Sequence, residues 1–335
     1  MNRPPEEYVH VTEDKLLAFA VACFESAGLD HEHAHTIGRL LVNSDMRGVR
    51  THGTRAVNRY CRAFEEGNTN PQPDVRQIHE APTGVVIDGD GTLGYLPMVR
   101  ATEAAIDRAS KLGLGIGIVR HIGHYGSAGH YTRMCMDAGC IGFSVQGYRN
   151  HGDASALSDK PQIGYFGNPP LSFGMPAGEE HPIVQDVATR ILADYQRSPE
   201  FDDLLSRIPA AFFKSIGYGA VAIVLGGALA GFSLPSADEI EEKWPSARHG
   251  GMVLAIHIES FIGTSDYSDE VDRLVRDVRN TYEPMPGYDE ALFPGAVEEK
   301  YAELHKESGI RYGESEQTNA REVSDRLGVA LPWDE

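Results

Sequence analysis

Short β-branched runs alternate with helix-like segments through the middle of the chain: GVVID at 84–88, GIGIVR at 115–120, CIGFSVQ at 140–146 and MVLAIHI at 252–258. Between the first three lie an alanine-rich segment with helical character at about 96–112 and one with mixed faces at about 127–138. Each such strand needs a helix or a neighbouring strand to cover its apolar side, so this βαβ-like rhythm restricts the chain to the α/β class.

The flanks read differently. Thr12 followed by Glu13 and Asp14 is a helix start, because a hydroxyl can accept from orphan N–H groups and acids suit the positive end of the dipole. Leu16, Phe19, Ala20, Cys23 and Phe24 then recur at helical spacing until Gly28. A second helix is expected from His31 to Asp45, with Ile37, Leu40 and Leu41 on its apolar side and Gly48 closing it, and a third over 55–66. Pro71, Pro73 and Pro82 mark the change of character. Helices are expected again over 267–280 and 295–307, followed by a polar tail with loosely ordered last residues. A chain of 335 residues exceeds the size at which single cores stop growing, about 250–300 residues, so more than one domain is expected.

Forty-nine acidic against thirty basic residues give a net charge of −19, which opposes sequence-independent attraction to nucleic acid or anionic lipid. No nucleic-acid partner is expected. Cys23, Cys61, Cys135 and Cys140 are too scattered for a disulfide framework and read as core thiols of a cytoplasmic protein. The first residues, MNRPPEEYVHVTEDK, carry no apolar leader. The uncharged run at 215–237 is rich in glycine, and its apolar centre, Ala220 to Phe232, is too short to span a bilayer, so it reads as a buried core helix and no membrane partner is expected.

Several motifs carry chemistry-capable residues. GVRTHGTRAVNRY, at 48–60, sets His52 among Arg50, Arg55 and Arg59, an arrangement suited to an anionic substrate. GDGTLG at 89–94 has the form of a dinucleotide-binding turn, but Asp88 and Asp90 put carboxylates where phosphates would sit, and a plain turn opening a helix explains it better. His121, His124 and His130 lack the acidic or thiol partners that would complete a zinc set, so no metal is expected. His124, between two glycines, fits a loop imidazole placed for proton transfer. His31, His33 and His35 read as solvated. GYFGNPP at 164–170 is a loop or a backbone cradle, and Asp186 is a helix cap or the carboxylate that holds a histidine tautomer.

Taken in order, SDMRGVRTHGTRAVNRYCRAFEEGNTNPQP, VIDGDGTLG, VRHIGHYGSAGHY, GCIGFSVQG, GNPPLSFGMP, PIVQDVATR and GYGAVAIVLGGALAGF resemble the malate/L-lactate dehydrogenase family, which also holds sulfolactate, ureidoglycolate and diketogulonate oxidoreductases and a cyclic imino acid reductase. The resemblance runs from about residue 8 to 305. It implies an α/β, non-Rossmann, mixed-sheet cofactor domain at 76–262. With it goes a helical domain formed by both chain ends, 1–75 and 263–335, in a homodimer.

It also implies an NAD- or NADP-dependent oxidoreductase moving hydride to or from a small 2-oxo or 2-hydroxy acid or cyclic imino acid. On the matching positions, His124 becomes the acid/base, and His52 and Asp186 its companions in catalysis. Thr51, Arg55 and Arg50 become the substrate side, because an arginine fork pairs with both carboxylate oxygens. Tyr148, Gly167, Asn168, Pro169, Lys214, Gly217 and Gly295 become the cofactor side.

The chain departs from the family pattern in places. Ala56 occupies the slot of the arginine in Ser-His-Gly-x-x-Arg, Ile216 replaces the lysine of Lys-Gly-Tyr-Gly, and the segment between Asp186 and Gly217 is shorter than in typical members. These departures keep a second expectation open, that of a family member with altered or lost redox activity acting as a binding or non-redox protein.

Overall fold

The computed structural model describes residues 4–149, 168–191 and 198–333. In chain order its elements begin with β1 (Tyr8–Val11), α1 (Glu13–Ser26), α2 (His31–Met46), α3 (Val57–Glu65), β2 (Arg76–Ala81), β3 (Gly84–Asp88), α4 (Tyr95–Leu112), β4 (Leu114–Ile122), α5 (Gly129–Asp137) and β5 (Cys140–Tyr148). They continue with β6 (Pro170–Met175), β7 (Ile183–Ala188), α6 (Pro199–Arg207), α7 (Pro209–Ile223), α8 (Pro235–Lys243), β8 (His249–His257), α9 (Thr264–Thr281), α10 (Ala296–Ser308), β9 (Ile310–Gly313) and α11 (Glu314–Leu327).

A seven-stranded sheet runs in the order β2-β3-β4-β8-β5-β6-β7. Only β3 and β4 pair in parallel, with Val86 opposite Ile118, and every other neighbour is antiparallel. This is a mixed sheet, unlike the mostly parallel sheet of the doubly wound dinucleotide folds. Helix α4 makes the crossover between the parallel strands. A Cβ on Gly115 would lie 1.9 Å from the Ala105 carbonyl oxygen, and one on Gly117 would lie 2.4 Å from that of Ala101. Glycine on the strand and alanine on the helix therefore let the two backbones pack without intervening side chains.

Thr12 caps α1 by accepting from the Lys15 N–H at 3.4 Å. The buried side of α1, including Leu16, Phe19 and Phe24, joins Ile37 and Leu41 of α2 in one core that continues into α4 and β4. All four cysteines are free and buried.

The structure corrects four expectations. The C-terminal tail carries regular structure through most of its described length: β9 pairs antiparallel with β1, and α11 packs on α3. Its polar sequence hides this because part of its anchorage is ionic. Glu316, only 1% exposed, accepts from Arg50 Nε at 3.0 Å and Nη2 at 2.5 Å. Second, α7 is not a buried core helix. Phe212, Ser215, Gly219 and Ala222 face inward, whereas Phe213 is 77% and Tyr218 58% exposed, since a helix laid on a sheet can bury only one side. The stretch Pro209–Ala228 is long and apolar enough to cross a membrane by length and composition. Third, His33 is fully buried, because α2 turns position 33 inward while 31 and 35 face solvent. Fourth, β2, β6 and β7 are strands that the periodicity does not announce.

Candidate active site

A buried carboxylate builds the first half of the site. Asp45, on α2, accepts from the Thr54 N–H at 2.8 Å and the Thr54 hydroxyl at 2.6 Å, and burial pushes its carboxyl up to about 7. A Cβ on Gly53 would fall 1.8 Å from Asp45 Oδ1, so only glycine admits this approach. The turn is thereby pinned as two short 3₁₀ segments, Arg50–His52 and Thr54–Ala56, with His52 ending the first.

The second half is the loop after β4. There the Gly94 N–H donates to the His124 carbonyl at 3.0 Å. The rings of His52 and His124 stack with centroids 5.7 Å apart and planes 23° from parallel. From α3, the Tyr60 hydroxyl sits 2.8 Å from His124 Nδ1, and the Gly126 N–H approaches the same nitrogen at 3.3 Å. The Tyr95 hydroxyl lies 3.3 Å beyond that of Tyr60. Nε2 is the His124 nitrogen that the described residues leave unengaged. The His249 ring stands edge-on to His124 at 6.5 Å, and the Tyr148 ring lies 5.1 Å from His249.

Electrostatics keep these imidazoles neutral. Burial holds His124 well below the ordinary histidine range, helped by His52, His249 and Arg59. His52 is lowered by burial, with Asp186 opposing and Arg59 assisting, and burial lowers His249 to about 4. A neutral imidazole is the form able to take a proton.

The remaining candidates are distributed as follows. The Thr51 hydroxyl is 3.1 Å from His52 Nδ1. Arg50, expected on the substrate side, is held by Glu316. Arg55 is exposed, and its neighbour Arg59 is the guanidinium whose charge reaches both site imidazoles. Asp186 caps α5: its Oδ2 accepts from the Gly129 N–H at 2.9 Å and the Ser127 hydroxyl at 2.5 Å, and it hydrogen-bonds neither site imidazole. It faces two cavities of about 440 and 150 Å³.

Asn168 Oδ1 accepts from the Arg190 N–H at 3.2 Å, and the Pro169 carbonyl accepts from the Thr189 hydroxyl at 2.8 Å. Lys214 and Gly217 are exposed on α7, with nothing within 4 Å of a Cβ at 217. Gly295, at φ +102°, packs against the Val184 backbone. Gly167 lies outside the described residues.

His121 Nδ1 pairs with Asp88 Oδ2 at 2.9 Å and His130 Nε2 with the Ser44 hydroxyl at 3.2 Å, so the three histidines of that motif go separate ways. No group of metal-binding side chains forms among the described residues. In GDGTLG, a Cβ at Gly91 would strike Trp244 at 2.2 Å, and Asp88 receives the Asp90 N–H, which is the geometry of a packed turn. Tyr60 and His249 carry no signal in the sequence, because only tertiary packing brings them to His124.

The profile of the malate/L-lactate dehydrogenase family matches residues 11–196. The chain is similar to L-sulfolactate dehydrogenase of Methanocaldococcus jannaschii, 28% identical over 91% of this chain and 93% of that one. It is similar also to malate dehydrogenase of Pyrococcus horikoshii, 26% identical over 97% of each. The solved structure of malate dehydrogenase from Pyrococcus horikoshii OT3 superimposes with a TM-score of 0.83 at 23% identity, covering 99% of both chains. With a profile match over more than half its length and relatives aligned almost end to end, this chain belongs to the malate/L-lactate dehydrogenase family of oxidoreductases.

Proposed function

We propose that this oxidoreductase is NAD- or NADP-dependent and moves hydride between the nicotinamide and a small 2-oxo or 2-hydroxy acid, or a cyclic imino acid, with His124 as proton donor and acceptor. The observation that carries the reading is the stacked His52–His124 pair with Tyr60 on His124 Nδ1. Because Nε2 exchanges the proton with the substrate oxygen or nitrogen, Nδ1 keeps its hydrogen throughout and donates it to the Tyr60 hydroxyl oxygen in both states of the ring. His52 packs against a face of the His124 ring and, with Thr51, orients the substrate.

The residues fit a nicotinamide. The buried His249 imidazole, with the Ser246 backbone on one side and the Tyr148 ring 5.1 Å away, offers a polar atom and an aromatic neighbour of the kind a nicotinamide carboxamide and ring would meet. Tyr148 and His249 would hold the ring, with Gly167, Asn168, Pro169, Lys214, Gly217 and Gly295 assigned to the rest of the cofactor by family resemblance. When bound, the cofactor supplies or removes the hydride. The chain's own residues exclude water from the imidazole pair and position the carbon to be reduced. The proposal includes a cytoplasmic homodimer, with the exposed apolar side of α7 (Phe213, Tyr218, Val221) available to a second copy, and the division into 1–75 with 263–335 and 76–262.

Titration with NADH and NADPH, read by nicotinamide fluorescence, and turnover on a panel of 2-oxo acids test this. Binding of at least one cofactor is expected, and His124→Ala should retain that binding while losing turnover by roughly 10²-fold or more. Absence of affinity for both cofactors, or near-normal turnover in the variant, overturns the proposal.

A further inference from the structure

The chain is strongly acidic, and the arginines around the site are mostly neutralised by it. Arg50 is paired with Glu316, and Arg47 and Arg133 share Glu299. Arg59 is different. Like Arg55 it is exposed and has no carboxylate partner among the described residues, but its guanidinium lies over an aromatic ring of the site, with the guanidinium carbon 5.0 Å from the centroid of the Tyr60 ring. That ring carries the hydroxyl bonded to His124, which places an uncompensated cation beside the proton-handling group. Ala56, where the family turn carries arginine, is only 7% exposed, so its methyl fills a packed position. Position 59 lies three residues further along the chain, exposed in the first turn of α3.

We infer that Arg59 is the anion-binding residue of this chain, gripping the substrate carboxylate from the α3 side in place of the side chain missing at 56. The inference rests on the reading of the site as one for small acids. The guanidinium lies over the Tyr60 ring, an arrangement that leaves the N–H donors along its edge able to take a carboxylate. An uncompensated cation near the imidazoles also keeps them unprotonated, consistent with the direction in which Arg59 moves both.

The test is calorimetric titration of oxalate, a dicarboxylate probe, into wild type, Arg59→Ala, Arg59→Lys and Arg55→Ala, with and without NADH, alongside separate NADH titrations of each protein. The expected result is a loss of oxalate affinity of about tenfold or more in Arg59→Ala, partial recovery in Arg59→Lys, and unchanged NADH affinity in both. Oxalate affinity unaltered by Arg59→Ala, a larger loss in Arg55→Ala than in Arg59→Ala, or no oxalate binding by wild type overturns the inference. Failure of wild type to bind NADH or NADPH strikes the functional proposal instead and appears in its own titration.

Discussion

Tyr60 and His124, sixty-four residues apart in sequence, meet through a hydroxyl and a ring nitrogen 2.8 Å apart. The contact couples α3 of the N-terminal helices to the loop after β4, so the orientation of the imidazole depends on how those helices seat on the sheet. Tyr60→Phe removes this hydrogen bond and keeps the ring's packing. Losing one such bond costs about 1 kcal/mol, so a fall in kcat of roughly five- to tenfold with little change in KM is expected from steady-state kinetics. An unchanged kcat together with an unchanged pH profile would show that Tyr60 does not position His124.

The depressed basicity of His124 sets the pH dependence of catalysis. In the oxidative direction the neutral ring must accept the substrate proton, so activity persists until the ring is itself protonated. Burial and the nearby His52, His249 and Arg59 move that event below 6.5, the ordinary imidazole value. The acidic limb of kcat/KM for oxidation should therefore have its midpoint below 6.5. A midpoint at or above that value would assign the limb to another group.

Much of this arrangement was legible in the sequence. The four strands announced by β-branched runs lie at the centre of the sheet, because central strands must be apolar. Its edges were not legible: β2 reads Arg-Gln-Ile-His-Glu-Ala and is almost wholly exposed, and β6 and β7 begin among prolines. His52 and His124 stood out as imidazoles flanked by small or hydroxyl residues. Which guanidinium of this turn serves the substrate was not legible, for a geometric reason. Residues 50–56 form two 3₁₀ turns broken at Gly53, so counting from His52 at α-helical phase gives the wrong face. The burial of His33 and the role of Tyr60 both come from tertiary packing, which a local pattern does not record.

Gly53 is the most constrained position in the His52 turn. A methyl there would overlap Asp45 Oδ1 at 1.8 Å, and Asp45 holds both the N–H and the hydroxyl of Thr54. Gly53→Ala must displace either the carboxyl or the turn. It should destabilise the fold by about 2 kcal/mol or more, read as a lower denaturation midpoint, and reduce turnover further by shifting His52. A variant with wild-type stability and activity would mean that the turn relaxes without moving the imidazole.

His33 supplies a stability switch apart from catalysis. Its ring is fully buried, both nitrogens lack hydrogen-bond partners among the described residues, and burial lowers it to about 4 from 6.5. The unfolded chain binds the proton more readily than the folded one, so the stability contributed by the neutral ring is present above pH 6.5 and is lost as pH falls toward 4. Converted at about 1.4 kcal/mol per unit, the loss reaches roughly 3 kcal/mol once both states are protonated. His33→Leu keeps an apolar side chain of similar bulk and cannot take up the proton. Denaturation melts at intervals between pH 7 and 4 should show wild type losing stability faster than this variant. Parallel curves for the two proteins would place the acid sensitivity elsewhere, with His249, also lowered to about 4, as the next group to replace.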